Sequence, residues 1–407
     1  MKIRNWGYPV LIWLVALGLV VKFGVVDYVM ESDALMEYGV FMAIVESRHW
    51  VAYIENLLSH CLMTTWVPAQ LVLLLGLPPF QVFAWYVFVL ASLLPVTVYF
   101  IARRWLNPHY AFLAGLFIIM QMYFWGALRS ARLNVACVVF ALMILVMWSK
   151  SMKMKIKLPL VALLSFVLVI SHYSTTYIAI FAFGTVLVGA LLLWLVKRVR
   201  PCVLVPMGLA LVVLVVSVGV LYGVLSKTPL RYGLFFIESA ISVEQFEVKK
   251  PALTESETAT TSSPQYSFFA LETRESVIQV AFGKTLHIMN TPQKIEFAFS
   301  WLLVLALSFG FLVALWRSNL DTGYKVLCGA MCSCLLLGIA LPVISNKYGI
   351  VRVFYQASIP LSVCFVIGAR ELGKYIKVGG YAIALSVIVP YYLCVSGVIH
   401  SWFGVIR

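Results

Sequence analysis

Residues 211–225 read LVVLVVSVGVLYGVL, a run of apolar side chains that contains no charged residue. With its apolar neighbours the run is long enough to cross the hydrocarbon core of a bilayer as a helix, in which the backbone satisfies its own hydrogen bonds. It lacks the alternation of apolar and polar residues that a membrane-spanning strand requires. This stretch therefore predicts a transmembrane helix.

The rest of the chain has the same character. Its 407 residues are 63% hydrophobic and only 11% charged, with a mean hydropathy of +0.98. A water-soluble domain cannot bury so much apolar surface. We therefore predict an all-α, polytopic membrane protein that forms one integral membrane domain over residues 1–407. Eleven stretches are predicted to span the bilayer, at residues 8–26, 80–101, 110–128, 133–148, 158–171, 178–196, 203–225, 296–316, 326–344, 353–369 and 379–400.

The net charge of +14 would suit a nucleic-acid partner, but its distribution along the chain indicates membrane topology instead. A cytoplasmic N-terminus gives the inner loops sixteen basic residues and only two acids, Asp321 and Glu371. This satisfies the positive-inside rule at every inner loop. We predict a plasma-membrane protein with a cytoplasmic N-terminus and no nucleic-acid partner. The basic residues are Lys2, Arg4, Arg103, Arg104, Lys150, Lys153, Lys155, Lys157, Lys197, Arg198, Arg200, Arg317, Lys325, Arg370, Lys374 and Lys377.

This topology requires that LMTTWVPAQLVLLLGLPP, residues 62–79, does not cross the membrane. The stretch is short, has Pro68 inside it and ends in two prolines, which favours an interfacial or re-entrant helix. If it did cross, every later loop would change sides, and Arg103 and Arg104 would face outward.

Two long segments then lie outside the membrane. Residues 27–79 form a first extracytoplasmic loop with juxtamembrane helices, and residues 226–295 form a long one. The second contains PALTESETATTSSPQ, which is poor in hydrophobic residues and predicts a mobile loop.

The first outer loop offers two carboxylates. Asp33 and Glu37 are four residues apart, so on a helix they lie on one face, one turn apart. They repel each other mildly unless a cation lies between them. The alternative is a solvated acidic helix start, in which Asp33 complements the N-terminus.

Basic residues occur in two other outer loops, against the positive-inside trend. RSARLN places Arg129 and Arg132 just outside a span, and SNKYGIVR places Lys347 and Arg352 before another. Arginine in the first turn of a helix lies near the positive end of the dipole, which is costly unless an anion is present. A guanidinium suits bidentate capture of a phosphate. Snorkelling is the alternative explanation for Arg129 or Arg132.

The outer turn HYSTTY, residues 172–177, concentrates polar side chains between two apolar spans. A tight connection with aromatic residues in the interfacial belt would explain Tyr173 and Tyr177. It would not explain His172, which can donate to a phosphate or carry a proton near neutral pH. His172 and Tyr173 are therefore further candidates for phosphate binding.

Several of these segments resemble a known superfamily. A first helix, an acidic outer loop, the non-crossing TTWVPAQLVLLLGLPP and a span ending VYFIARRWL resemble the integral-membrane glycosyltransferases of the C superfamily (GT-C). Those enzymes include the protein O-mannosyltransferases and the aminoarabinose transferases of lipid A. More closely, SDALMEY, RSARLNVA, ISHYSTTYI and YGIVRVFYQASIP are similar to an uncharacterised family of archaeal multipass proteins.

The resemblance implies a GT-C-like fold and a role for the first-loop acids. Asp33 matches the acid that such enzymes use as a base or metal-associated carboxylate, and Glu37 matches the second acid. Asn134 stands where aminoarabinose-type enzymes usually have an aspartate.

Together these features predict a membrane glycosyltransferase that transfers a sugar from a polyprenyl-phosphate carrier on the outer face, with inversion at the anomeric carbon. The partners are the lipid-linked sugar, membrane lipids and an acceptor glycan, lipid or protein. A divalent cation, Mg²⁺ or Mn²⁺, on Asp33 and Glu37 is the one cofactor expected. A polysaccharide polymerase or ligase, and a lipid or sugar flippase, remain alternatives.

Overall fold

The computed structural model describes residues 6–26, 32–50, 57–195, 204–225, 289–317, 319–340 and 350–403, and it is all α-helical over these ranges. The predicted fold class is thus confirmed. The helices are α1 (Gly7–Val26), α2 (Ser32–Ser47), α3 (Trp66–Leu75), α4 (Pro79–Ala102), α5 (Pro108–Ile119), α6 (Met122–Trp125), α7 (Ala131–Met147), α8 (Met154–Val169), α9 (Tyr173–Leu195), α10 (Leu204–Val218), α11 (Thr291–Arg317), α12 (Thr322–Ala340), α13 (Ile350–Tyr375), α14 (Gly380–Val395) and α15 (Val398–Trp402). A 3-10 helix (Leu57–His60) precedes α3, and α10 continues as a π-helix (Gly219–Leu225).

Within the described part of the chain, six helices are long and apolar enough to cross a membrane: α1, α4, α9, α10 with its π-helical extension, α11 and α13. The chain is therefore an integral membrane protein. Helix α13 is the centre of the bundle, since almost all of it is buried and it packs against α5, α11, α12 and α14. A second group, α1, α5 and α7, surrounds α4, and α8 and α9 flank α10.

Helices α11 and α13 cross closely because both carry glycine at the contact. A Cβ on Gly310 would lie 2.3 Å from the carbonyl oxygen of Cys364, and one on Gly368 would lie 2.5 Å from the Cα of Gly310. Small residues that let two backbones approach are the usual means of packing helices in lipid.

The loops predicted to share a side of the membrane contact one another. At one end, the Tyr8 hydroxyl lies 2.6 Å from His109 Nδ1, the Tyr381 hydroxyl donates to the His109 carbonyl at 2.8 Å, and Trp148 Nε1 donates to Asp321 at 3.1 Å. We call this the basic end, because the predicted inner loops meet there.

The opposite end holds the first outer loop, and we call it the α2 end. The Met63 amide donates to the Ile170 carbonyl, which joins this loop to the connection between α8 and α9. At the start of α4, the rings of Phe80 and Phe83 lie 6.1 Å and 5.5 Å from that of Tyr38 in α2. Helix α4 therefore begins beside α2, and the ten-residue α3 does not carry the chain across the bundle.

Three predicted boundaries need correction. The span 110–128 is interrupted after Ile119, where Gln121 Nε2 donates to the Phe117 carbonyl and the chain tightens into a turn before α6. The span 178–196 begins earlier, with α9 at Tyr173.

The third correction concerns the loop 226–295, of which only the last residues, 289–295, are described. Helix α11 already begins at Thr291, because Asn290 and Gln293 form a reciprocal capping box: the Gln293 amide donates to Asn290 Oδ1 at 3.0 Å, and the Asn290 amide donates to Gln293 Oε1 at 2.9 Å. The predicted mobile part of this loop lies outside the described residues.

Candidate active site

A buried ion pair joins the first outer loop to the bundle at the α2 end. Arg132 Nη1 lies 2.8 Å from Glu37 Oε1, and the Arg132 backbone amide donates to Glu37 Oε2 at 3.3 Å. The two side chains are 6% and 1% exposed. Arg132 is in the first turn of α7, so the Glu37 carboxylate offsets both the guanidinium charge and the positive end of that helix.

This ion pair bears on the predicted role of Glu37. The Asp33–Glu37 spacing left a cation between the acids as one alternative, and the structure places the guanidinium of Arg132 on Glu37. Because Arg132 engages both oxygens of Glu37, this carboxylate does not fit the role of a metal ligand or a base. Asp33 is one helical turn earlier in α2, and its side chain lies outside the description.

His172 lies in the three-residue connection between α8 and α9 and is only 1% exposed. Its Nδ1 is 2.7 Å from Thr175 Oγ1. The Thr176 hydroxyl donates to the carbonyls of Leu168 and His172, which fixes the backbone of the turn. Among the residues that the structure describes, His172 Nε2 has no hydrogen-bond partner.

Two arginines from different helices act on His172. Burial is the largest cause that lowers the pKa of the imidazole well below its ordinary value, and the charges of Arg132 and Arg352 lower it further. The same two arginines act on Tyr173. Arg352 is half-buried near the start of α13. The beginnings of α7 and α13 therefore converge on the turn that carries His172.

The structure thus brings five of the predicted residues together: Glu37, Arg132, His172, Tyr173 and Arg352. Arg129 lies in the turn just before α7 and is half-buried. The structure describes the backbone of Asp33 but not its side chain, and Lys347 lies outside the described residues.

Asn134 has a structural role at this site. Its amide nitrogen donates to the carbonyls of Tyr123 and Ser130, and its Oδ1 accepts a 2.7 Å hydrogen bond from the Tyr355 hydroxyl. The residue is completely buried. A neutral amide fits this position because it both donates and accepts, and it ties α7 to α13 close to Arg132 and Arg352.

Two further residues of the site were not among the candidates that the sequence indicated. Gln356, one turn after Arg352, is completely buried and donates from Nε2 to the Thr175 carbonyl at 3.2 Å. Cys61 lies close enough to interact electrostatically with Arg132 and Glu37, and burial raises the pKa of its thiol to about 12. The thiol is therefore protonated near neutral pH. Only the packing of distant segments identifies these two residues.

Within the described residues, no group of three or more His, Cys, Asp or Glu side chains could hold a metal ion. Two guanidinium groups in the first turns of α7 and α13 and a buried imidazole lie together at this end of the bundle. Positive charge at helix N-termini is the chemistry with which proteins generally bind phosphate.

Comparison with known proteins shows a likeness in fold. No protein-family model matches the chain, and no curated protein matches its sequence. The crystal structure of the apo oligosaccharyltransferase of Archaeoglobus fulgidus superposes with a TM-score of 0.53 at 12% identity, over 97% of this chain and 56% of that one.

A second structure, the archaeal oligosaccharyltransferase AglB from Archaeoglobus fulgidus with an inhibitory peptide and a dolichol-phosphate, gives 0.48 at 15% identity, over 98% and 56% of the two chains. The chain thus spans little more than half the length of these structures. The first likeness shows that this chain shares the fold of that membrane protein over almost its whole length.

Proposed function

We propose that the protein is a membrane glycosyltransferase, which transfers a sugar from a polyprenyl-phosphate donor to an acceptor glycan, lipid or protein. The site would lie on the extracytoplasmic face of the plasma membrane, as the charge distribution favours. The fold likeness to an oligosaccharyltransferase supports this class of enzyme.

The observation that carries the proposal is the convergence of Arg132 and Arg352 on His172 at one end of the bundle. These cations come from the N-terminal turns of α7 and α13, where the helix dipole makes a positive side chain unfavourable. Glu37 offsets this cost at Arg132, and a phosphate bound nearby would add negative charge beside the N-terminal ends of both helices. Because the site lies at the end of lipid-facing helices, the phosphate of a membrane-anchored donor suits it.

In the proposed reaction, Asp33 accepts the proton of the acceptor hydroxyl, and the acceptor oxygen attacks the anomeric carbon while the bond to the phosphate oxygen breaks. One direct displacement inverts the anomeric centre. Arg352 stabilises the charge that develops on the phosphate, an effect of about 3 kcal/mol for a well-placed donor. Arg129, Lys347 and Tyr173 remain candidate contacts to the donor.

Glu37 has a different part in this proposal from the one that the sequence predicts. It holds Arg132 in place and neutralises its charge, so that the second acid acts as a positioning residue. The described donor set does not fit a divalent cation on Glu37, and no step is routed through a metal. Metal dependence stays a prediction from the sequence.

The test is a transfer assay with the full chain reconstituted in liposomes. Radiolabelled dolichyl-phosphate mannose and dolichyl-phosphate glucose are supplied with extracted membrane glycolipids and proteins as acceptors, and the products are separated by chromatography. We expect the label to move into a new glycosidic bond with release of dolichyl phosphate. Label that crosses the bilayer on unchanged dolichyl phosphate would indicate a flippase, and a ladder of lengthening glycans would indicate a polymerase.

A further inference from the structure

One ring nitrogen of His172, Nε2, has no hydrogen-bond partner among the described residues. The imidazole is 1% exposed, its Nδ1 is held by Thr175 Oγ1 at 2.7 Å, and Nε2 is buried without a hydrogen bond. A buried polar atom left unpaired destabilises the folded protein. A ligand atom that pairs with Nε2 would recover this free energy.

The charges around His172 come from three helices and the first outer loop. Arg132 of α7 and Arg352 of α13 are both positive, and the Glu37 carboxylate of α2 is already paired with Arg132. The neighbouring groups, Tyr173 and Cys61, are neutral near pH 7, Cys61 because burial raises the pKa of its thiol to about 12. Burial and the two arginines lower the pKa of His172, so the imidazole is neutral when no anion is bound.

We propose that a phosphodiester bound between Arg132 and Arg352 enters the site together with one proton, which is carried on His172 Nε2. This inference rests on the proposed function, since the phosphodiester is the polyprenyl-phosphate sugar. The anion reverses the electrostatic balance at the ring because it screens both guanidinium groups and accepts a hydrogen bond from Nε2–H.

Thr175 allows the ring to change protonation state without moving. A hydroxyl oxygen accepts hydrogen bonds, so Thr175 Oγ1 accepts from Nδ1–H of the neutral ring, which leaves Nε2 bare, and the same hydrogen bond persists in the imidazolium after Nε2 takes up the proton. The threonine is completely buried in the first turn of α9, and Gln356 Nε2 holds its carbonyl. Thr175 is thus a positioning residue for His172.

The proton also serves the transfer step. When the bond between the anomeric carbon and the phosphate oxygen breaks, its electron pair stays on oxygen, and the phosphodiester monoanion becomes a phosphomonoester dianion. The imidazolium beside it offsets the second negative charge. If the proton then passes from Nε2 to the phosphate, the product leaves as a monoanion from a neutral histidine, which weakens its hold on the site.

Isothermal titration calorimetry on the full chain in detergent tests this proposal. The probe is dolichyl-phosphate mannose, a phosphodiester that keeps one negative charge across the pH range used. Titrations at about pH 7 in PIPES and in Tris, which differ in ionisation enthalpy, give the number of protons taken up per lipid bound. We expect about one proton for the wild type and none for His172→Gln.

Two substitutions of Thr175 provide the matched control. Thr175→Val removes the partner of Nδ1 and should reduce proton uptake, while Thr175→Ser should restore it. If His172→Gln fails to fold, the wild type alone is decisive: its affinity should rise by up to tenfold for each unit that the pH falls above the pKa of the ligand-free ring. Equal uptake in wild type and His172→Gln, or an affinity that does not change with pH, would overturn the inference.

These outcomes are distinct from failure of the proposed function. Lipid that binds without proton uptake contradicts only the role of His172. Absence of any binding, or binding without sugar transfer in the liposome assay, contradicts the glycosyltransferase proposal and the inference with it.

Discussion

The two ends of the bundle hold their positive charges in opposite ways. At the basic end, charged side-chain atoms donate to backbone carbonyls at helix C-termini, although Lys157 and Lys325 themselves lie in the first turns of α8 and α12. Lys157 Nζ donates to Ser149 O at 2.7 Å just after α7, Lys325 Nζ to Leu315 O at 3.0 Å near the end of α11, and Arg103 Nη1 to Leu106 O at 2.6 Å after α4. Such positions complement the negative end of the helix dipole.

At the α2 end, Arg132 and Arg352 lie in the first turns of their helices, where the dipole opposes them. A carboxylate, Glu37, offsets the first arginine. The comparison teaches that the number of cations does not indicate function. The basic end has more of them, and they stabilise the fold; the α2 end has fewer, and their positions favour a bound anion.

The largest difference between the ends is expected from Asp33→Asn. Loss of a general base reduces a rate by about 10²–10⁴-fold. The liposome assay should show this loss while dolichyl-phosphate mannose still binds in calorimetry. The matched control is Asp321→Asn at the basic end, where Oδ1 accepts from Trp148 and Gly323 and survives the change. Normal transfer by Asp33→Asn would eliminate Asp33 as the base.

The next effect concerns the buried ion pair. Glu37→Met leaves Arg132 charged and buried, and breaking such a pair destabilises a protein by about 3–5 kcal/mol. Glu37→Met with Arg132→Met should recover most of that loss, because two packed apolar side chains can replace a buried pair. Chemical denaturation in detergent measures both. A double variant as unstable as the single one would show that the pair does not act as a unit.

Arg352 at the α2 end and Lys374 at the basic end can be compared directly, because replacing either residue by alanine removes one positive charge. We expect Arg352→Ala to lower kcat/KM for the donor by about 10²–10³-fold, the usual loss for a donor to developing negative charge. Lys374→Ala at the basic end removes one positive charge from a surface ion pair with Glu371 and should leave transfer unchanged. Equal effects of the two variants would mean that Arg352 acts only through net charge.

The sequence predicts a large part of this arrangement. The positive-inside rule places His109, Trp148 and Asp321 in inner loops, and among the described residues the contacts of His109 with Tyr381 and of Trp148 with Asp321 agree with that grouping. Which side of the membrane this end faces stays a prediction. The four-residue spacing of Asp33 and Glu37 left open both a cation on that face of α2 and a solvated acidic helix start, and the structure pairs Glu37 with Arg132. A sequence signal for the start of α11 also exists, because Asn290 and Gln293 have the spacing of a capping box.

What the sequence does not predict are the partners across the bundle. Glu37 and Arg132 are 95 residues apart, and Asn134 and Tyr355 are 221 apart, so each pairing depends on how whole helices pack. Helix ends such as the interruption after Ile119 depend on single hydrogen bonds, here from Gln121 to Phe117. Apolar periodicity has no information on either, because in lipid nearly every face of a helix is apolar.

The smallest expected effect compares one tyrosine hydroxyl at each end. Tyr355→Phe leaves the buried Asn134 Oδ1 without its donor and should cost about 1–2 kcal/mol of stability. Tyr381→Phe removes an exposed hydrogen bond to His109, and water replaces it at little cost. Thermal unfolding in detergent should rank the two variants in this order.

The same pair of variants also tests donor binding. Since Asn134 ties α7 to α13, only Tyr355→Phe should weaken donor binding, because it displaces the start of α13 that holds Arg352. If the two variants prove equally stable and bind donor equally well, the Asn134–Tyr355 hydrogen bond does not position the site.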